Sequence, residues 1–70
     1  METYEMFAVL LEMEAIKNAI IRVLHHIPYG FGYDYEIKRL CNAMLEIDRA
    51  IEVMNERLKK KERRKNERTY

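Results

Sequence analysis

The side chains of this chain that could do chemistry include an adjacent histidine pair. His25 and His26 follow one another, so on a helix they point about 100° apart and cannot chelate a metal as an i, i+4 pair does. Two polar groups that close a helix, where a cation suits the C-terminal dipole, are the simpler interpretation. A metal site would need symmetry-related histidines from further copies of the chain, and we predict no metal.

A cysteine and two glutamates are the other candidates for chemistry. A nucleophilic thiol needs a base in contact with it and a third group that orients the base, and the sequence around Cys41 offers no such set. We interpret Cys41 as a small buried hydrophobe. Glu12 and Glu14 are two residues apart, on different helix faces, and do not form a dyad. With no serine and no glycine-rich phosphate loop, we predict no catalytic residues, no cofactor and no enzymatic activity.

Length and composition indicate one small, largely helical domain. The 70 residues are 49% hydrophobic and 36% charged, with two glycines and one proline, a mixture typical of long helices. Chains below roughly 70–80 residues seldom stabilise themselves with one core and use disulfides, metals or oligomerisation. The single cysteine leaves no internal disulfide, so oligomerisation is the expected reinforcement.

Two segments repeat apolar residues at the 3-4 spacing of a heptad helix. The first runs from Met6 to Ile27 and the second from Ile37 to Leu58. The proline and both glycines stand between them and break the helical pattern. Asp34 follows this break as an expected N-cap.

These features predict an all-α antiparallel helical hairpin, because a short connection places successive helices side by side. We expect a helix over about 4–26, a loop over 27–33 and a second helix over about 34–65. Residues 1–58 form the hairpin domain, and residues 59–70 form a basic extension.

Apolar residues outside the heptad positions widen the face of the first helix. Leu10 and Leu24 lie beside the repeat, and Phe7, Leu11 and Ile21 lie further round, so the apolar arc spans roughly 200° where one partner helix needs about 100°. We therefore expect a homo-oligomer, most simply a dimer of hairpins that forms a four-helix bundle. The expected oligomer interface comprises Met6, Val9, Met13, Ile16, Ile20, Val23, Ile37, Leu40, Met44, Ile47, Ile51, Met54 and Leu58. Phe7, Leu11 and Ile21 are a possible surface for a different protein partner.

The loop concentrates aromatic residues at one end of the hairpin. Tyr29, Phe31, Tyr33 and Tyr35 lie within seven positions. They can form a hydrophobic plug that closes the bundle end, with the tyrosine hydroxyls in water. They can also form an exposed recognition knob, since Tyr is a common binding anchor. The plug is the interpretation we favour.

Charge is distributed unevenly along the chain. Residues 1–56 hold five basic and ten acidic residues, whereas residues 57–70 hold eight basic and two acidic ones. Such a basic segment can bind phosphates, and it can equally serve as a solvated helix end. The possible nucleic-acid contacts are Lys59, Lys60, Lys61, Arg63, Arg64 and Lys65.

The sequence shows neither an export signal nor a membrane span. Glu2 and Glu5 stand where a signal peptide would be basic, and the longest apolar run has six residues, against roughly 20 for a transmembrane helix. We expect a cytoplasmic protein that acts as an oligomeric protein–protein interaction module, an adaptor or regulator. The alternative is a small dimeric nucleic-acid-binding protein that uses the basic extension.

Overall fold

A computed structural model describes the backbone of residues 1–68 and the side chains of residues 1–63. The described residues form two helices, α1 (Thr3–His26) and α2 (Asp34–Arg68), which pack against each other as an antiparallel hairpin. The molecule is a rod of 61 × 15 × 15 Å. The predicted all-α hairpin is confirmed, and α2 continues three residues beyond the predicted end.

The start of α1 is fixed by a local hydrogen bond. The backbone N–H of Glu2 donates to Oε1 of Glu5 at 3.0 Å, so the carboxylate satisfies an amide that has no partner within the helix. The negative charge of Glu5 also lies in the first turn, where the helix dipole favours it.

The turn between the helices depends on its two glycines. Ile27 leaves α1 in an extended conformation, with φ −86° and ψ 120°. Gly30 and Gly32 adopt φ values of +83° and +86°, a region that costs other L-residues about 1–2 kcal/mol. The chain then enters α2 at Asp34, and the carbonyl of Tyr33 accepts a hydrogen bond from the N–H of Ile37. Asp34 is therefore the first helical residue, and the expectation that it is the N-cap is corrected by one position.

The face that α2 turns to α1 is the predicted one. Every apolar heptad position of α2 is buried or half-buried: Ile37, Leu40, Met44, Ile47, Ile51, Met54 and Leu58. Ile51 and Leu58 are among the most buried side chains described. Cys41 and Asp48, one heptad apart beside this repeat, are half-buried.

The face that α1 turns to α2 differs from the heptad pattern. Met6 is buried and Val9, Met13 and Ile20 are half-buried as expected, but Ile16 and Val23 are 51% and 46% exposed. The residues that directly follow them, Lys17 and Leu24, are half-buried instead, and so is Leu10 beside Val9. Because successive residues are about 100° apart, α1 is rotated by roughly 50° from the orientation that its heptad repeat suggested.

Candidate interaction surfaces

An ion pair joins the two helices near the middle of the hairpin. Nζ of Lys17 lies 2.6 Å from Oδ1 of Asp48, and the two side chains are 30% and 41% exposed. The hydrogen bond and the negative charge of Asp48, with a smaller contribution from Glu14, raise the pKa of Lys17 above its ordinary value of 10.5, against a partial loss of hydration. Lys17 lies between Leu10 and Leu24 on the contact face, where apolar residues would otherwise face α2.

The rotation of α1 leaves apolar side chains on both sides of the contact face. We call Val9, Ile16 and Val23 the Ile16 strip, and Phe7, Leu11 and Ile21 the Leu11 strip. On a helix of 3.6 residues per turn the two strips lie roughly 160–200° apart. A single partner helix cannot cover both. Within one hairpin, Val9 and Ile21 are half-buried, and the other four residues of the two strips are exposed.

The Ile16 strip adjoins the flank of α2 that carries Ala43 and Ala50. In an antiparallel pair of right-handed helices, this flank and the Ile16 strip fall on the same side of the plane through both axes. A groove of about 460 Å³ at the open end of the hairpin supports this placement, because Met6, Met54 and Arg57 line it together. Both alanines are exposed, and their small side chains project little from the surface of α2.

The Leu11 strip lies on the opposite side of the hairpin. Leu11 is 71% exposed and Phe7 is 48% exposed. Polar groups surround this strip: a groove of about 370 Å³ on that side is lined by Glu14, Lys17, Asp48, Ile51, Glu52 and Asn55. Leu45 of α2, also on that side, is exposed. This side is therefore a mixed surface of apolar residues and charges.

The basic residues of α2 begin beside the N-terminus of α1. Lys61 donates a hydrogen bond to the backbone carbonyl of Met1, so the residues of α2 that follow extend past the end of α1. Lys59, Lys60 and Arg63 are exposed, and Lys61 is half-buried. The side chains of Arg64 and Lys65 lie outside the described residues.

The loop aromatics are exposed in the hairpin. Tyr29, Phe31 and Tyr35 are each about 70% exposed, and Tyr33 is 46% exposed. A plug formed within one hairpin is thus not what the structure shows. A role in closing the end of a larger bundle stays a prediction.

The residues singled out for chemistry do not converge. His25 and His26 are exposed at the end of α1, and Cys41 is half-buried on α2. Among the described residues, no group of three or more His, Cys, Asp or Glu side chains is placed to hold a metal ion. A groove of about 580 Å³ is lined by residues of α2 alone and is the surface of a single helix. The expectations of no metal and no catalysis stay predictions.

The contact that Lys17 makes between the helices was not predicted from the sequence. Lys17 and Asp48 each lie one position beside the apolar repeat of their helix, at the level where an antiparallel hairpin brings the helix centres together. The sequence feature that could have indicated this contact is a pair of opposite charges at the same heptad position of the two helices. Charges at such positions often face solvent, so the pattern alone does not show that the two residues meet.

Neither helix, over the part of the chain that the structure describes, contains a segment long and apolar enough to cross a membrane.

Comparisons of the chain with protein-family models, with curated proteins and with solved structures find no match.

Proposed function

We propose that this protein is a non-enzymatic, self-associating helical hairpin that serves as a protein–protein interaction module. The observation that carries the proposal is the pair of apolar strips on opposite sides of α1, in which α2 leaves Ile16, Val23, Phe7 and Leu11 exposed. One strip is available for a second copy of the chain, as in a four-helix bundle, and the other for a different protein.

The shortage of buried residues supports self-association. Of the side chains described, the buried hydrophobic ones are Met6, Ile51 and Leu58, and no side chain is less than 2% exposed. A single hairpin thus leaves much of its apolar surface in water, at a cost of roughly 25 cal/mol per Å². Association with another chain is the direct way to remove this cost.

The accessible surface area points in the same direction. The hairpin exposes 6122 Å², whereas a compact monomer of this mass exposes about 4,700 Å² by the usual size scaling. Part of the excess is the polar end of α2, which extends past α1. A standard protein interface covers about 800 Å² per partner, which is well within the excess.

Thermal melting as a function of concentration tests the proposal. If the fold depends on association, Tm rises steadily as the protein concentration increases over two or three decades, because dissociation is linked to unfolding. A Tm that does not change with concentration would contradict self-association. A pull-down then tests the second role: Leu11→Glu should abolish the capture of a protein partner that the wild type retains.

The basic end of α2 supports a second candidate function, nucleic-acid binding. α2 continues as one helix past the N-terminus of α1 and displays Lys59, Lys60 and Arg63 to solvent. Neutralising about six phosphates would make log affinity fall with log salt at a slope near −5. A gel-shift titration with duplex and single-stranded oligonucleotides tests this. Binding that is lost on deletion of residues 59–70 supports it, and absence of binding at low ionic strength rejects it.

A further inference from the structure

We propose that the side of the hairpin formed by the Ile16 strip and the Ala43 and Ala50 flank binds a second copy of this chain, with α1 of one copy against α2 of the other. This inference rests on the self-association proposed above and assigns it to one face and one arrangement.

The apolar character of this side distinguishes it from the opposite one. Ile16 and Val23 are half exposed and continue the apolar contact face of the hairpin without an intervening charge. On α2 the two alanines lie beside the half-buried Ile47 and Met54. The Leu11 side, by contrast, carries the Lys17–Asp48 ion pair and the carboxylates of Glu14 and Glu52 along its centre. Burial of that side would remove several charges from water, which is costly.

The charges at the edges of the Ile16 side indicate which occupant fits. Towards the open end, the α1 edge carries Glu5 and Glu12, and the α2 edge carries Arg57 with Lys60 further round; nearer the loop the α2 edge holds Arg39 and Glu46, of opposite charge, and all six are exposed. In one hairpin these two edges face away from each other. A twofold rotation about an axis parallel to the helices places the acidic edge of one copy beside the basic edge of the other, once on each side of the bundle.

The same rotation sets the arrangement of the other end of the hairpin. Near the loop, the α2 edge carries Glu36 and Arg39, which differ in charge and are both exposed, so the charge complementarity is confined to the open end. The loops of the two copies then lie at the same end of the bundle, and the basic ends of the α2 helices lie on a diagonal, separated by α1 helices.

Matched glutamate substitutions on the two strips test the assignment. Ile16→Glu and Leu11→Glu introduce the same charge on the same helix, at positions that are both exposed in the hairpin. We expect Ile16→Glu to weaken self-association by more than about 100-fold, because each interface would bury two unpaired carboxylates. Leu11→Glu should leave it within a few-fold of wild type. The measurement is sedimentation velocity, with circular dichroism at high concentration to monitor helicity.

The outcomes separate this inference from the proposed function. Wild-type protein that stays monomeric at every concentration overturns both. Self-association that survives Ile16→Glu and is lost in Leu11→Glu overturns the face alone, and loss in both variants contradicts assignment to one face.

Disulfide trapping gives a second readout, which does not depend on the folding of the glutamate variants. In a Cys41→Ser background, Ile16→Cys protein is mixed with Ala50→Cys protein and oxidised under mild conditions. A mixed disulfide between the two variants is expected, because α1 of one copy lies against α2 of the other. A predominant disulfide between two copies of the Ile16→Cys variant would overturn the arrangement, and absence of any trapped dimer would overturn the face.

Discussion

Lys17 and Asp48 lie 2.6 Å apart across the centre of the hairpin, on the contact face of each helix. The pair favours this axial position of α1 relative to α2, because a shift of one helical turn, about 5.4 Å, would separate Nζ of Lys17 from the carboxylate of Asp48. Since both side chains keep contact with solvent, the pair contributes specificity of register more than free energy of folding.

The pKa of Lys17 gives a prediction at alkaline pH. A group whose pKa is raised on folding stabilises the fold below its unfolded value, here 10.5, and loses that contribution as pH rises through the higher folded value. Urea denaturation midpoints of the wild type and of Lys17→Arg should therefore run in parallel up to about pH 10. Above that pH the wild type should lose more stability, because arginine stays charged. Curves that remain parallel through this range would show that the ion pair does not affect folding.

The glycines of the turn are predicted to be needed for their backbone conformation alone. No atom lies within 4 Å of a Cβ built on Gly30, so the cost of Gly30→Ala arises from the positive φ and should be about 1–2 kcal/mol. Gly30→Asn should cost less, since asparagine tolerates this region better. Chemical denaturation measures both. Equal stability of the alanine variant and the wild type would contradict the turn geometry.

Leucines inside and outside the hairpin contact face should respond differently to truncation. Leu58 is 7% exposed, and Leu58→Ala should lower the free energy of unfolding by about 2–5 kcal/mol. Leu45 is 62% exposed, and Leu45→Ala, on the same helix, should change it by less than about 0.5 kcal/mol. Thermal and urea unfolding at matched concentration compare the two. A comparable loss in both variants would show that Leu45 is covered in the assembly.

The exposed loop aromatics lead to a prediction that separates their two possible roles. Phe31 is 74% exposed, so Phe31→Ala should leave Tm of the assembled protein within a few degrees of wild type if the loop is a recognition surface. A large fall in Tm would show instead that the loop packs against a neighbouring chain. Tyr4→Ala, an exposed aromatic at the opposite end, is the matched control.

Much of the fold follows from local patterns in the sequence. The break at Pro28, Gly30 and Gly32 places the turn correctly, and the apolar repeat of α2 identifies its contact face, because few large apolar residues lie beside that repeat. Because α2 has a single apolar face, that face is the one that packs against α1.

The orientation of α1 could not be derived in the same way. Two adjacent stripes share Met6, Met13 and Ile20, one completed by the Ile16 strip and the other by Leu10 and Leu24. Periodicity favours the first stripe, because Lys17 interrupts the second, but the hairpin uses the second. In the observed orientation Lys17 pairs with Asp48 of α2, and Leu10 and Leu24 are half-buried. The apolar strips were recognisable from the sequence, whereas their positions on opposite sides of the hairpin required the packing of the two helices.

Sedimentation equilibrium of the wild-type protein over a dilution series tests the central claim, self-association, most directly. A hairpin that needs a second copy to cover the Ile16 strip should have a mass near twice 8.5 kDa at micromolar concentration and should lose helicity as it dissociates on dilution. A mass of 8.5 kDa throughout the series, with full helicity and cooperative melting, would contradict the account.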